Sequence, residues 1–216
     1  MEFAKIITKF HRNFMRDGMA QEDVNKAFQQ ANTADLNSLL DLYGTYSESS
    51  SAYTKNELED LKKYTVPDSV VAFYSNHEPH LVPTLSGGIR LMNLESIKVE
   101  NSSAAPSMYL LKFGLLTIAT TIGGHAICLD LDSTNDSQPR VVIADQAFCS
   151  YNDDLQVVEC VLVPGDIAEN YAVDEPILLS NTLIKQCLSE IAPSFREFLK
   201  NLSNESYENI EDDFLP

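Results

Sequence analysis

The sequence predicts an α+β fold with a largely antiparallel central sheet, helices before and after that sheet, and an N-terminal helical extension. Apolar residues recur at helical spacing towards both ends of the 216-residue chain. From about residue 88, short segments rich in β-branched residues alternate with turn residues, which is typical of paired strands. Because helices, strands and helices follow one another in blocks, we expect the helices to pack on one face of the sheet.

Residues 1–53 are expected to form a helical extension followed by a serine-rich linker. Apolar residues over 3–14 recur at helical spacing, and they predict a first helix that ends near Gly18. The same periodicity predicts helices over 20–31 and 35–43. The segment that follows, TYSESSSAY, has almost no large aliphatic residue, so we expect a flexible connection there.

The main domain is expected over residues 54–203, and residues 204–216 form an acidic tail that we expect to be frayed. Two capping boxes indicate where helices of this domain begin. Thr54 precedes Glu57 by three residues, and Ser194 precedes Glu197 in the same way.

Two further helices are expected beside prolines. A short helix over 68–74 follows Pro67, and the SNHEPHLVP segment after it is predicted to be a loop. Asn181 can cap a later helix. The apolar spacing predicts that this helix continues through Ile191 and ends before Pro193.

The middle of the chain contains the segments that we predict to be strands. They are IRLM (89–92), SIKVE (96–100), YLLKF (109–113), LLTIAT (115–120), HAICLDL (125–131), RVVIAD (140–145) and LQVVECVLV (155–163). The STNDSQP segment (133–139) is predicted to be a turn by its composition. The short spacing between these segments favours antiparallel pairing.

The charge of the chain is unevenly distributed. The formal net charge is -17, and residues 121–216 hold 18 acidic and 4 basic residues, a net of -14. Such a field repels nucleic acid and anionic membranes, and it attracts basic protein partners. The alternative is that the acidity only keeps the protein soluble.

The four cysteines indicate a reducing compartment. None belongs to a CxxC pair and each lies in an apolar stretch, which predicts buried, reduced thiols, although paired disulfides are the alternative. The first residues, MEFAKIITKF, do not resemble a signal peptide, and the most apolar run is interrupted by lysine, glycine and histidine. We therefore expect a cytoplasmic protein without a membrane span.

Candidate catalytic and metal-binding groups do not form a convincing set. His125 and Cys128 are three positions apart on a predicted strand, so their side chains point to opposite faces. His77 and His80 have a spacing that can reach one metal ion, but no second pair of ligands stands out. The Gly-Gly pairs match neither type of phosphate-binding loop. We predict no enzyme, no metal and no cofactor.

Four segments of the chain form a recognisable series of motifs: VPDSVVAFYSNHEP (66–79), GGIRLMNLESI (87–97), KFGLLTIATTIGGHAICLDLD (112–132) and APSFREFLKNL (192–202). Taken in order, over roughly residues 54–202, these segments resemble the SUKH superfamily. The chain departs from the family pattern because it has no tryptophan, because His77 follows Asn76, and because its 150–182 segment is longer than usual. The resemblance implies a cell-wall-assembly-regulator-like domain that binds proteins, and it implies no catalytic residues.

Most bacterial members of that superfamily are immunity proteins, so the resemblance implies a toxin as the partner. We expect an acidic surface to meet a basic toxin surface, with the chain acting as a monomer or homodimer. The predicted contributors are Asp130, Asp132, Asp153, Asp154 and Glu159. One alternative is a regulatory scaffold like the fungal relatives, with residues 1–44 as a docking arm. Another is a metal protein or enzyme that uses His77, His80 or His125.

Overall fold

The computed structural model describes residues 3–44, 59–135, 138–172 and 175–215. Its helices are α1 (Ala4–Arg16), α2 (Gln21–Ala27), α3 (Thr33–Leu40), α4 (Asp68–His77), α5 (Leu94–Ser103), α6 (Ser107–Leu110), α7 (Gly165–Ala168), α8 (Asn181–Cys187), α9 (Phe195–Ser203) and α10 (Ile210–Phe214). Its strands are β1 (Phe28–Gln29), β2 (Glu78–Pro79), β3 (Ile89–Leu91), β4 (Leu115–Thr121), β5 (Ala126–Asn135), β6 (Gln138–Ala144), β7 (Cys149–Asn152), β8 (Val157–Cys160) and β9 (Ser189–Ala192). The predicted capping box at Thr54 and Glu57 and the predicted 45–53 linker lie outside the described residues.

The central sheet has five antiparallel strands in the order β3-β4-β5-β6-β9, which confirms the predicted fold class. Pairs β1–β2 and β7–β8 form separate two-stranded sheets. Irregular register between Thr117 and Ala119 on β4, and between Asp130 and Thr134 on β5, interrupts the ladder. Such irregularities bend and twist a strand, in keeping with the curl of this sheet.

Helices cover both faces of the sheet, so the expectation of helices on one face is wrong. Neighbouring strand residues such as Leu115 and Leu116 belong to different hydrophobic clusters, as do Ile127 and Cys128. Because successive side chains point to opposite sides of a strand, the central strands are apolar on both faces and both need cover.

We call the two clusters the aromatic core and the thiol core. The aromatic core is centred on Phe3, Phe10, Phe73, Phe195 and Phe198, and it receives residues of α1, α4, α5 and α9. The thiol core contains Cys128, Cys149 and Cys160, and it receives residues of α6, α8 and the β7–β8 hairpin. All four cysteines are free, in agreement with the predicted reduced thiols.

The N-terminal helix packs into the aromatic core. The Phe3 ring lies 5.3 Å from that of Phe73 and 6.2 Å from that of Phe195. Asn13 Nδ2 donates a hydrogen bond to the Ser203 carbonyl at 2.9 Å, which joins α1 to the end of α9. These contacts tie the first helix to the last part of the chain. The division of the chain at residues 53 and 203 stays a prediction.

Two segments that we predicted to be strands are helical. SIKVE lies in α5, where the Asn93 side chain caps the helix by accepting a hydrogen bond from the Ser96 N–H at 2.8 Å. YLLKF lies in α6 and the 3₁₀ helix Leu111–Phe113, which Gly114 ends with a left-handed φ of 80°. Both segments are short and apolar, and periodicity alone does not separate strand from buried helix in such cases.

The C-terminal part also departs from prediction. The helix that begins at Asn181 ends at Cys187, and Ile191 belongs to edge strand β9 instead. The cap at Ser194 is confirmed, because its Oγ accepts a hydrogen bond from the Glu197 N–H at 3.2 Å. The expectation of a frayed tail is wrong over its described part, where Ile210 is buried.

Candidate partner-binding site

The β7–β8 hairpin carries three of the five acidic residues that we predicted to contact a partner. Asp153 and Asp154 occupy its turn and are exposed to solvent. Glu159 is half-buried on β8, and its Oε2 accepts a hydrogen bond from Asn152 Nδ2 at 3.3 Å. Three acidic side chains of this set are therefore gathered within one short hairpin.

The hairpin turn has a defined backbone conformation. Asn152 Oδ1 accepts a hydrogen bond from the Leu155 N–H at 3.1 Å, and Gln156 Nε2 donates one to the Asp153 carbonyl at 2.8 Å. Gln156 itself adopts a left-handed φ of 58°. These interactions hold the turn while the two aspartate carboxylates remain at the surface.

The other two predicted acidic residues lie on β5 and are engaged within the chain. Asp130 is only 1% exposed, and its Oδ2 lies 2.8 Å from Nε of Arg140, the residue opposite it on β6. Asp132 is half-exposed and its Oδ2 accepts from Lys185 Nζ at 2.9 Å. The Asp130 carboxylate is therefore buried against a cation of the same sheet and does not reach the surface here, and its role as a partner contact stays a prediction.

Apolar side chains are exposed around the acidic hairpin. Tyr151 is 41% exposed, Leu155 54%, Val161 53% and Leu178 52%. Leu178 reaches β8 through the isolated bridge to Glu159, and Val161 directly follows β8. Exposed apolar groups rimmed by charge are typical of protein–protein contact surfaces.

A cleft lies between the α6 region and the hairpin. Its volume is about 670 Å³, and Tyr109, Cys149, Tyr151, Asp153 and Val161 are among its lining residues. Burial raises the pKa of the Tyr109 hydroxyl, and Cys149, Asp153 and Tyr151 raise it further. Sequence reasoning did not identify this cleft. The available signal was Tyr151 beside the paired aspartates, because a tyrosine next to charge is a common interface residue.

The chain segment that contains the hairpin has no basic side chain. Residues 141–184 include eight Asp or Glu residues and no Lys, Arg or His. The β7–β8 hairpin and α7 both belong to that segment. The charged side chains of this segment are all acidic, and such a segment attracts cations and accelerates association with a basic partner.

His125 and Cys128 do not form a catalytic pair. His125 Nδ1 lies 3.2 Å from Asp145 Oδ2, whereas Cys128 points into the thiol core with its Sγ 3.2 Å from Thr117 Oγ1. Burial raises the pKa of the Cys128 thiol to about 12, so the thiolate that a nucleophile requires is strongly disfavoured. The alternation expected from the sequence accounts for this separation.

The two candidate metal-binding histidines lie in different surroundings. His77 is the last residue of α4, with its ring 6.1 Å from that of Phe73, and burial lowers its pKa. His80 Nε2 lies 3.4 Å from Glu78 Oε2. Across the described ranges, no cluster of three or more His, Cys, Asp and Glu side chains could hold a metal ion.

A second open cleft lies beside the edge strand β3. It has a volume of about 510 Å³ and is lined by Arg90 of β3 and by Glu95, Val99 and Glu100 of α5. Because this cleft combines both signs of charge, it offers a basic partner less attraction than the acidic hairpin does.

In the part of the chain that the structure describes, every helix is too short or too polar to span a lipid bilayer. The model of the SMI1/KNR4 family (SUKH-1) matches residues 54–201. Comparison with curated proteins and with solved structures gives no significant match. The family match covers more than half of the chain and includes the central sheet and the acidic hairpin. By this match, the chain belongs to the SMI1/KNR4 family (SUKH-1).

Proposed function

We propose that this chain is a non-enzymatic immunity protein that binds a cognate toxin through the β7–β8 hairpin and neutralises it. Its family includes immunity proteins, and members of the family generally act by binding and not by catalysis. We place this activity in the cytoplasm, where free thiols such as the four in this chain persist.

The observation that carries the proposal is the exposed, uniformly acidic hairpin. Asp153 and Asp154 project from its turn, within a segment that has no basic residue. A toxin that cleaves or modifies nucleic acid needs a basic surface to hold phosphates. An acidic hairpin bound to that surface prevents the nucleic acid from occupying it.

The packing of the N-terminal helix disfavours the alternative of a regulatory scaffold. That alternative treated residues 1–44 as an amphipathic arm available to a partner's groove. In the structure, Phe3, Phe10 and Phe14 are buried in the aromatic core, so the apolar face of α1 is already occupied. A scaffold would use the same acidic hairpin, and the identity of its partner separates the two functions.

The deciding experiment is capture of partners from the native cell, followed by protection of cells that express the captured toxin. A triple variant, Asp153→Lys, Asp154→Lys and Glu159→Lys, is compared with Glu190→Lys, Glu208→Lys and Asp213→Lys, which changes the net charge equally outside the hairpin. We expect the hairpin variant to lose affinity for the toxin at least tenfold, because close charge pairs across interfaces couple by about 1.5 kcal/mol or more.

The control variant is expected to keep most of the affinity and to protect the cells. Equal loss in both variants would mean that only overall charge matters, and the hairpin assignment would then be wrong. Capture of endogenous regulatory proteins without any toxic domain would replace the immunity function by the scaffold function.

A further inference from the structure

We propose that the cleft between α6 and the β7–β8 hairpin receives an arginine side chain of a basic protein partner. This inference rests on the proposed function, because it assumes that a protein docks on the hairpin. It adds a recognition element to that function, namely a pocket that binds one type of side chain selectively.

The cleft brings together two aromatic rings and one carboxylate from separate elements. Tyr109 comes from α6, Tyr151 from β7 and Asp153 from the hairpin turn. Tyr151 lies on the same face of the hairpin as Cys149, since the two are separated by one residue on the strand. Because Cys149 is buried in the thiol core, the ring of Tyr151 is directed to the side of the hairpin on which the cleft opens.

This combination of groups suits a guanidinium ion. A guanidinium is planar, stacks on aromatic faces and forms paired hydrogen bonds with a carboxylate. The remaining lining includes Ala147 and Val161, whose apolar surface can contact the aliphatic stem of an arginine. A lysine ammonium is more strongly hydrated and lacks the planar surface for stacking, so the cleft favours arginine over lysine.

Asp153 is the one charged side chain that lines the cleft in the part of the chain that the structure describes, and because it is acidic it disfavours an anionic occupant. Among the described residues, the Asp153 carboxylate forms no ion pair. Lys112 is near enough to Cys149 to lower the pKa of that thiol slightly against the larger effect of burial, but it does not line the cleft. Its ammonium lies over the Phe113 ring, 5.1 Å from the centroid. The charge complement of the cleft is therefore a cation brought by the partner.

The test uses two peptides of equal charge, nona-arginine and nona-lysine, with the full-length protein at low salt. Titration calorimetry gives their affinities, and the backbone amide shifts of the protein map where they bind. Tyr151→Ala and Asp153→Asn remove the proposed contacts. Tyr171→Ala and Asp154→Asn are matched controls, because Tyr171 is also 41% exposed and Asp154 is the exposed neighbour of Asp153.

We expect nona-arginine to bind more tightly than nona-lysine, with its largest amide shifts around Tyr109, Tyr151 and Asp153. Tyr151→Ala should lower the affinity for nona-arginine about two- to fivefold, which is the effect of losing one cation–π contact at a partly exposed site. Tyr151→Phe keeps the ring and should restore the affinity. The matched controls should change it less than twofold.

Equal binding of the two peptides, equal losses in the controls, or amide shifts away from the cleft would overturn the arginine pocket. Toxin capture that still depends on the charges of the hairpin would then leave the proposed function standing. Arginine-selective binding at the cleft without any toxin among the captured partners would instead overturn the immunity function and keep the pocket.

Discussion

The aromatic core and the thiol core occupy opposite faces of one sheet, but they contain different types of side chain. In the aromatic core, the Phe73 ring lies 5.3 Å from Phe3 and 5.4 Å from Phe195, so helices from distant parts of the chain meet in ring contacts. The thiol core combines small cysteines and aliphatic residues with short elements such as α6 and β7–β8. We infer that stability is concentrated on the aromatic face, whereas the proposed recognition surface lies at the rim of the other face.

The strongest test of this comparison is Phe73→Ala. Phe73 is fully buried and contacts the rings of Phe3, Phe28 and Phe195. Its truncation should lower the free energy of unfolding by about 3–5 kcal/mol, because it leaves a cavity among large side chains. Urea unfolding followed by circular dichroism measures the loss, and the exposed Tyr171→Ala should change stability by less than about 0.5 kcal/mol. A loss for Phe73→Ala as small as that control would contradict the comparison.

A smaller loss of unfolding free energy is expected for Asn101→Ala, which removes the side-chain hydrogen bonds between α5 and the sheet. The buried Asn101 amide donates to the Thr117 carbonyl at 2.8 Å and accepts from the Thr117 N–H at 2.9 Å, beside the irregular register of β4. Removing it leaves buried backbone groups of Thr117 without that partner, which costs about 1–3 kcal/mol. Urea unfolding checks this, with Asn170→Ala as a control at an exposed position. Equal stability of the two variants would show that the Asn101 bonds do not hold α5 in place.

On the thiol face, Cys149→Ala should lower the free energy of unfolding by only about 1 kcal/mol, because it removes one small buried group. Cys149 is buried opposite Cys160, and no side-chain hydrogen bond within the described residues would be lost with it. Thermal and urea unfolding under reducing conditions measure the effect, and Cys187→Ala serves as the control because Cys187 is less buried. A loss as large as that of Phe73→Ala would mean that the two cores stabilise the fold equally.

The smallest and most pH-dependent effect is expected for Glu211→Gln in α10. The hydroxyl of Thr121 and the N–H of Gly123 donate to the Glu211 carboxylate and lower its pKa below the ordinary 4.5, against an opposing effect of burial. A carboxyl group whose pKa is lower in the folded state contributes stability above its unfolded pKa, and that contribution is lost as the pH falls through the folded value.

The stability difference between wild type and Glu211→Gln should therefore be present at pH 7 and shrink as the pH falls below about 4.5. Urea titrations between pH 7 and pH 3 measure it, with Glu208→Gln as an exposed control in the same segment. Other ionisable side chains lie near the Glu211 carboxylate. His125 Nε2 is 3.9 Å from Glu211 Oε2, and His125 Nδ1 is 3.2 Å from Asp145 Oδ2. A difference that grows towards low pH would contradict the assigned role of the Glu211 carboxylate.

Prediction from sequence succeeded where the information is local. The first helix, the strands LLTIAT and RVVIAD, and the cap at Ser194 were all predicted correctly, because periodicity and capping depend on neighbouring residues. SIKVE was assigned wrongly for a related reason. Five residues of mixed polarity fit either period, and the packing of Ile97 against the aromatic core selects the helix.

The sequence by itself determined the fold class, the family and the acidic character of residues 141–184, since these follow from composition and from the order of local patterns. Tertiary structure alone decided which acidic groups reach the surface. The β5–β6 register sets Asp130 opposite Arg140 and buries it, while the β7–β8 turn leaves Asp153 exposed beside Tyr109. Register and packing join residues that are distant along the chain, and no local pattern contains that information.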